Sequence, residues 1–303
     1  MDERRNHMRR GFSMIEVLVS LTVIGALMAI LVPAVQRSRE AARLIQCKSH
    51  LRQLGVACQN FEQSNRFLPS SSNAFQDLLP YLEGGNGVVS PLVMLCPSDP
   101  KTHRELGEVN YHISSGSSFR DERGDFDGIL DTRLQNKPGK YGRALHEISD
   151  GLSNTALFSE RLCAGSFVGE LTEAELANDP TRYLWYIREP LFGPMGNENE
   201  LARRCELERT TQFPASPGTN SMFAVWIPGY NHLTTPNRPP CFNGNLEAAT
   251  DNVPVVPPTS LHTGGISLLL CDGSVRFVQN GVDQVLWRAV GTRNDGRSVS
   301  GEW

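Results

Sequence analysis

A carboxylate inside an apolar segment is the first feature of the sequence that could do chemistry. Glu16 is the only charged residue between Phe12 and Val32. A carboxylate at the centre of a bilayer costs roughly 2.5–3.5 kcal/mol, so Glu16 needs a partner. Cleavage between Gly11 and Phe12 would supply one, because the new amino group of Phe12 would lie one helical turn from Glu16. That amine could belong to the same chain or to a neighbouring copy.

His262 and the dipeptide Asp272-Gly273 are a second candidate for chemistry. A histidine titrates near neutral pH, so His262 and Asp272 could form a general acid–base pair. The structural alternative is favoured, because the two glycines after His262 suit the start of a strand and Asp-Gly suits a type I′ hairpin turn. We therefore expect these three residues to serve the fold, with a ligand or metal contact as the lesser alternative.

An acidic run is a third candidate. Calcium favours clustered oxygen ligands, but the residues of this run do not fall into an EF-hand frame. The run contains Asp121, Glu122, Asp125, Asp127 and Asp131. We expect a solvated loop and no bound cofactor; a calcium site formed by Asp121, Asp125, Asp127 and Asp131 is the alternative.

All seven cysteines follow the apolar segment. Cys47 and Cys58 lie roughly 16 Å apart along one predicted helix and cannot bond to each other. A buried thiol is expected for each, and a disulfide from either one to Cys96 is the alternative. Because the chain has no Cys-x-x-Cys pair, its sequence gives little support to a zinc or redox site.

A long helix must position the N-terminal residues. Residues 12–32 would span roughly 31 Å as a helix, close to the hydrocarbon thickness of a bilayer. Residues 33–65 continue this helix beyond Pro33, which should bend it. Apolar residues recur at spacings of three and four along the continuation, at Leu44, Cys47, Leu51, Leu54, Cys58 and Phe61. We expect this stripe to pack on the C-terminal part of the chain, and a partner helix is the alternative.

Residues 66–303 have the pattern of an α+β domain with short elements. Strands are predicted at residues 155–159, 183–187, 222–227, 265–271 and 275–278, and a short helix at 283–290. Residues 164–258 are rich in proline and predict a loop-rich insertion, with exposed loops at 235–240 and 253–258. The aromatic residues Trp185, Trp226 and Trp287 are expected in the core.

Charge excludes one class of function. The chain has 29 basic and 33 acidic residues, a formal net charge of -4, which argues against a dedicated nucleic-acid binder. Four arginines precede the apolar segment, at positions 4, 5, 9 and 10. They predict a cytoplasmic N-terminus and an exported C-terminal domain, although basic residues also follow the segment.

The start of the chain resembles the prepilin signal of type IV pilins and type II secretion pseudopilins. The resemblance rests on a basic leader (residues 1–11), the run Gly11-Phe12-Ser13-Met14-Ile15-Glu16, the apolar residues 12–32 and Pro33. It implies that a prepilin peptidase cuts after Gly11 and methylates Phe12, and that Glu16 supports the packing of subunits in a filament. It also implies a single pass through a bacterial inner membrane, with a periplasmic or other extracytoplasmic domain.

Other targeting segments stay open. Val32-Pro33-Ala34 is a small-x-small site at which an ordinary secretory signal could be cut. Glu16 and the length of the apolar run weigh against that interpretation. An uncleaved single-pass anchor is the other alternative, whereas a buried soluble helix is disfavoured because this helix is apolar on every face.

The rest of the chain is similar to bacterial prepilin-like proteins that carry the domain of unknown function 1559. The matching segments are QCKSHLRQLGVACQNFEQSNRFLPS, LLPYLEG, CPSDP, NYHISSG, EISDGLSNTALFSER, SLHTGGISLLLCDGSVRFV and LWRAVGTRNDG. The family motif, a histidine followed by nine residues and Asp-Gly, falls on His262, Asp272 and Gly273. Ser49 and His50 stand in place of the family's paired asparagines. No reaction is established for the family, so the resemblance implies an architecture and a location.

We therefore expect a pilin-like α+β structural protein and not an enzyme. A long membrane-spanning N-terminal helix would pack on a globular domain with an antiparallel sheet. Its expected partners are a prepilin peptidase, like subunits or other pseudopilins, and the membrane, with no nucleic acid. The alternative is a membrane-anchored envelope module that binds glycan, calcium or protein. A tethered hydrolase has least support, because Ser153 lacks a Gly-x-Ser-x-Gly elbow.

Overall fold

The computed structural model describes residues 13–69, 74–82, 91–100, 107–118, 126–130, 142–163, 173–187, 198–210, 216–217, 229–243 and 254–297. The chain divides into two compact units, Met1–Arg43 and Leu44–Trp303. Several predictions concern residues outside the described ranges, namely Gly11, Phe12, the strand at 222–227 with Trp226, and the acidic residues Asp121, Glu122, Asp125 and Asp131.

Helix α1 (Met14–Asn65) contains Pro33 and ends where the sequence predicts. Residue Arg66, which follows it, has a positive φ of 69° and stops the helical backbone. In the first unit the apolar side chains of α1 are exposed, from Met14 to Val35. Among the described residues, α1 is the one helix long and apolar enough to cross a membrane, by length and composition.

The second unit is built around a five-stranded sheet in the order β6-β1-β2-β8-β9. These strands are β1 (Tyr111–Ser114), β2 (Ala156–Glu160), β6 (Gly229–Tyr230), β8 (Gly265–Leu270) and β9 (Val275–Gln279). Neighbours pair antiparallel except β6, which pairs parallel with β1. The α+β class is therefore confirmed, with a mixed sheet where an antiparallel one was expected.

The predicted apolar stripe of α1 packs on one face of this sheet. Cys47, Leu51, Leu54, Cys58 and Phe61 are buried in one cluster with side chains of β1, β2 and β8. The approach is close, since a Cβ atom at Gly55 would lie 3.1 Å from Leu269 Cδ1. Leu44, the first residue of the predicted stripe, is half-buried. From Cys47 onward the stripe packs on the protein's own C-terminal domain, as the sequence predicts.

Helix α5 (Gln284–Gly291) covers the opposite face of the sheet. Asp283 caps it by accepting hydrogen bonds from the backbone N–H groups of Val285 and Leu286. Trp287 of α5 is fully buried, and its indole N–H donates to the Thr234 carbonyl at 2.9 Å. Trp287 and the buried Trp185 thus confirm the expected core positions.

A buried histidine lies beside α5. The His232 ring packs on Trp287 with centroids 4.0 Å apart, and its Nδ1 lies 2.9 Å from the Trp287 carbonyl, which assigns the proton to Nδ1. Nε2 then accepts from the Ser114 hydroxyl at 3.2 Å. Burial lowers the pKa of His232 to about 3, against a smaller raising effect of the Trp287 carbonyl.

This histidine predicts acid sensitivity of the fold. The pKa of His232 is lower in the folded chain than in the unfolded chain, so below about pH 6.5 the unfolded chain binds a proton that the folded chain does not. The stabilisation by neutral His232 is therefore complete above about pH 6.5 and is lost as the pH falls toward 3. The expected loss is about 2 kcal/mol by about pH 5. Urea unfolding of the detergent-solubilised chain above about pH 6.5 and at about pH 5, in the wild type and in His232→Gln, measures this loss of stability. Equal pH dependence in the two proteins would contradict the assignment.

A smaller sheet occupies the predicted insertion. Its central strand β3 (Tyr183–Ile187) pairs antiparallel with β4 (Arg209–Thr210) and β5 (Ser216–Pro217), and parallel with β7 (Cys241–Phe242). The other helices are α2 (Ala74–Leu78), α3 (Glu173–Asn178) and α4 (Glu198–Leu207). A disulfide joins Cys205 of α4 to Cys241 of β7.

The prediction of exposed loops around this sheet is wrong in part. Val255 and Val256 are buried, because Val255 forms a β-bridge with Cys241 and the Val256 backbone bonds to Asn231. Pro236 and Pro240 are also buried, whereas Arg238 is exposed. The proline-rich segments therefore have irregular backbone, as predicted, but several of their residues are buried.

Candidate functional site

The N-terminal turn of α1 places Glu16 in a capping arrangement. The backbone N–H of Ser13 donates to Glu16 Oε2 at 2.8 Å, and the N–H of Ile15 donates to the Ser13 hydroxyl at 3.4 Å. A Ser-x-x-Glu spacing is the sequence signature of such a capping box. Glu16 thus caps the first turn of α1, next to the predicted cleavage point. Pro33, the other predicted assembly residue, lies inside the same helix.

The Asp-Gly part of the family motif forms a turn, but not the predicted type I′ turn. The Gly273 N–H donates to the Leu270 carbonyl at 3.0 Å, so the central turn residues are Cys271 and Asp272. A type I′ turn needs positive φ at both central residues, and among the described non-glycine residues only Arg66 and Asn237 have it. Gly273 is instead the last residue of the turn, with φ +87°. The strand consequently ends one residue earlier than expected.

His262 lies at the other end of the strand from this turn. All six residues of β8 separate His262 from Asp272, a distance of about 20 Å at the rise of a strand. The Asp272 carboxylate accepts from the Ser274 N–H at 2.8 Å within its own turn. The structure therefore does not bring His262 and Asp272 together as an acid–base pair.

His262 instead belongs to a buried cluster with Cys47, Cys96 and Glu160, whose four ligand atoms lie within 4.8 Å of one another. His262 Nε2 is 3.6 Å from Cys96 Sγ and 3.4 Å from Glu160 Oε1. Its Nδ1 is 3.5 Å from the Ser98 hydroxyl. Cys47 and Cys96 form a disulfide with a Cα–Cα distance of 5.4 Å.

This disulfide decides between the alternatives left open for the helix cysteines. Cys47 pairs with Cys96, whereas Cys58 is a buried thiol whose pKa is raised by burial. No Cys-x-x-Cys spacing could have located the cluster, because its members come from α1, the segment after the 3₁₀ turn Leu92–Met94, the end of β2 and the segment before β8.

The Glu160 carboxylate is the acidic group of the cluster, and its two oxygens have different surroundings. Its Oε2 accepts from the Ser267 N–H at 2.9 Å. Burial, and then the charge of Glu160, raise the pKa of Tyr111, whose hydroxyl donates to the Cys47 carbonyl. Within the described part of the chain, Glu160 Oε1 has no hydrogen-bond partner and His262 is its one ion-pair neighbour.

A second buried polar group adjoins the cluster through the Cys-Pro-Ser-Asp-Pro segment. Asp99 accepts from Arg182 at 2.7 Å and from Asn110 and the Cys163 N–H at 2.8 Å each. Arg182 also contacts Asp179. The Asn110 side chain in turn accepts from the Cys96 N–H at 2.9 Å. These contacts fix the backbone that carries Cys96.

Asp127 is the described member of the predicted acidic run. Its carboxylate accepts from the backbone N–H groups of Ser117 and Ser118 at 2.9 and 3.1 Å, and from the Ser117 hydroxyl at 3.1 Å. Burial raises the pKa of Asp127, and these hydrogen bonds oppose that rise. Asp127 therefore holds the turn after β1 in place.

Comparisons with known proteins agree with both resemblances. A family model described as "Protein of unknown function (DUF1559)" matches residues 36–87 and 73–285, which together make up more than half of the chain. A model described as "Prokaryotic N-terminal methylation motif" matches residues 6–32. Residues 286–296, which the sequence resemblance included, lie beyond these matches. No curated protein and no solved structure matches the chain.

Proposed function

The chain belongs to the family described as protein of unknown function (DUF1559), and from that premise we propose that it is a pilin- or pseudopilin-like structural subunit. Its N-terminal methylation motif makes it a prepilin-type substrate of a prepilin peptidase. The peptidase cuts after Gly11 and methylates Phe12. The mature chain then assembles in, or attaches to, a type II secretion or type IV pilus-like system, with like subunits or other pseudopilins as partners.

The exposed apolar part of α1 carries this proposal. Its large apolar side chains, from Met14 to Val35, are about half exposed or more, so the first unit itself does not cover them. Lipid and the same helix of neighbouring subunits would cover them together. In such a bundle the carboxylate of Glu16 pairs with the methylated amine of Phe12, which stays cationic. An unpaired carboxylate at that depth would oppose assembly.

The orientation rests on two independent features. The arginine-rich leader favours a cytoplasmic N-terminus at the inner membrane. The disulfides Cys47–Cys96 and Cys205–Cys241 favour an oxidising compartment for the C-terminal domain, as the bacterial periplasm provides. The α1 helix and the methylation motif together indicate membrane anchoring of this domain.

A structural role rather than catalysis is supported by the family motif. His262 is 3% exposed and lies at the opposite end of β8 from Asp272. Asp272 and Gly273 are used by the hairpin turn, and the Gln59 side chain of α1 donates to the Asp272 carbonyl at 3.2 Å. The turn part of the motif thereby contacts helix α1 directly.

Mass spectrometry of the N-terminus of chain extracted from native membranes tests the proposal. We expect a chain that begins at methylated Phe12. Gly11→Val should block cleavage, because it replaces the motif residue on the amino side of the proposed scissile bond. Gly25→Val is the matched control: a Cβ atom at Gly25 would meet nothing within 4 Å, so cleavage should continue. A chain beginning at Met1 or Val35 would overturn the proposal and leave an anchored or secreted domain.

A further inference from the structure

We propose that Cys47, Cys96, His262 and Glu160 form a zinc site when the two cysteines are reduced. The disulfide form seen in the structure is then the metal-free, oxidised state of the same site. The ligand set would be two thiolates, one imidazole and one carboxylate. This mixture of sulfur, nitrogen and oxygen in four-coordinate geometry suits Zn²⁺.

The geometry meets the first requirement of a metal site, which is convergence of the ligand atoms. One atom from each of the four residues lies within 4.8 Å of the other three. His262 Nε2 is 3.6 Å from Cys96 Sγ and 3.4 Å from Glu160 Oε1, which approximates the edges of a tetrahedron about a single ion. All four residues are buried, so water would not compete for the coordination positions.

Hydrogen bonds from neighbouring residues orient the ligands. The Ser98 hydroxyl lies 3.5 Å from His262 Nδ1, so Nδ1 can hold the proton while Nε2 turns its lone pair to the ion. Ser267 N–H holds Glu160 Oε2 at 2.9 Å and leaves Oε1 directed at the cluster. Oε1 is buried and has no hydrogen bond to any described residue, which a bound cation would correct.

The chemistry balances in both directions. A phosphine reductant transfers two electrons to the Cys47–Cys96 bond and becomes a phosphine oxide, with water supplying the oxygen and the two thiol protons. Zinc binding then releases those two protons to solvent as both thiolates coordinate. Reoxidation by a disulfide oxidant removes two electrons from the sulfurs, forms the Cys47–Cys96 bond again and releases the ion, while the oxidant is cleaved to two thiols with two protons from solvent.

Cobalt titration of the full chain in detergent tests this site. After reduction by a phosphine, Co²⁺ should bind once per chain and give thiolate-to-cobalt charge-transfer bands with the d–d bands of a tetrahedral ion. Zn²⁺ should displace the cobalt and abolish the bands. The same protein with its disulfides intact should show no thiolate bands, and this comparison needs no variant.

Variants locate the ion. Cys96→Ser and Glu160→Gln should weaken cobalt binding at least about 100-fold, because each removes a group that would bind the ion directly, and losing a residue that only orients a ligand already costs about 10- to 100-fold. Cys205→Ser is the matched control, since it removes a thiol of the other reduced disulfide, and the bands should persist. Absent thiolate bands in the reduced wild type, or bands lost in Cys205→Ser but kept in Cys96→Ser, would overturn the proposal. Unfolding on reduction that zinc does not reverse would overturn it equally.

Discussion

Replacing Glu16 by alanine is expected to leave cleavage after Gly11 intact and to abolish assembly. The change would leave the cationic amine of Phe12 without its carboxylate in an apolar environment. An unpaired buried charge costs about 3 kcal/mol, which corresponds to a factor of about 100 in subunit association. Electron microscopy of assembled material, together with N-terminal mass spectrometry of the same cells, measures the two effects separately.

Two further variants isolate the charge of Glu16. Glu16→Gln retains an oxygen that can accept from the Ser13 N–H, so it preserves the capped turn and removes only the charge. It should fail to assemble as Glu16→Ala does. Glu40→Ala is the matched control, because Glu40 lies on the same helix beyond the apolar run and pairs with Arg43 at 3.5 Å. Normal assembly of Glu16→Gln would refute the ion-pair mechanism.

Replacing Arg182 by methionine is expected to destabilise the C-terminal domain by about 3–5 kcal/mol. The Arg182 and Asp99 side chains are 1% and 0% exposed and lie 2.7 Å apart. Methionine would remove the Arg182 cation from the buried Asp99 carboxylate, to which the Asn110 side-chain amide and the Cys163 backbone N–H still donate. Urea unfolding of the detergent-solubilised chain measures the loss.

Two control variants test the buried Arg182–Asp99 pair, one by neutralising the carboxylate and one by removing an exposed salt bridge. Asp99→Asn in the Arg182→Met background should recover part of the stability, because a neutral amide keeps an acceptor oxygen and carries no uncompensated charge. Arg203→Met removes a salt bridge to Glu200 whose arginine is 54% exposed, and it should leave unfolding unchanged. If Arg182→Met and Arg203→Met unfold alike, the buried pair does not stabilise the domain as argued.

Local pattern was sufficient to predict several elements of the domain. The stripe from Leu44 to Phe61 predicted the face of α1 that is buried from Cys47 onward, because a helix places every third or fourth residue on one side. The observed strands β2, β3, β8 and β9 lie within one or two residues of their predicted positions. Asp283 and the apolar residues after it likewise predicted α5. Each of these signals lies within one element and needs no distant partner.

Structural features that depend on contacts between distant segments were not predicted correctly. The two-residue strands β4, β5, β6 and β7 come from segments whose composition predicted loops, because they are too short for a period to show. Val255 and Val256 are buried by pairing with Cys241 and Asn231. The turn at Asp272 differs from the expected type because Cys271 belongs to it, which the dipeptide alone does not reveal.

By itself, the sequence determined the prepilin-type start, the apolar helix with its single carboxylate and the family to which the domain belongs. These properties are carried by contiguous residues, so linear order is enough to read them. Only the tertiary structure decided that Cys47 pairs with Cys96 and that His262 faces Glu160 instead of Asp272. These partners lie 49 and 102 residues apart, and the folding of α1 and the sheet onto one core brings them together.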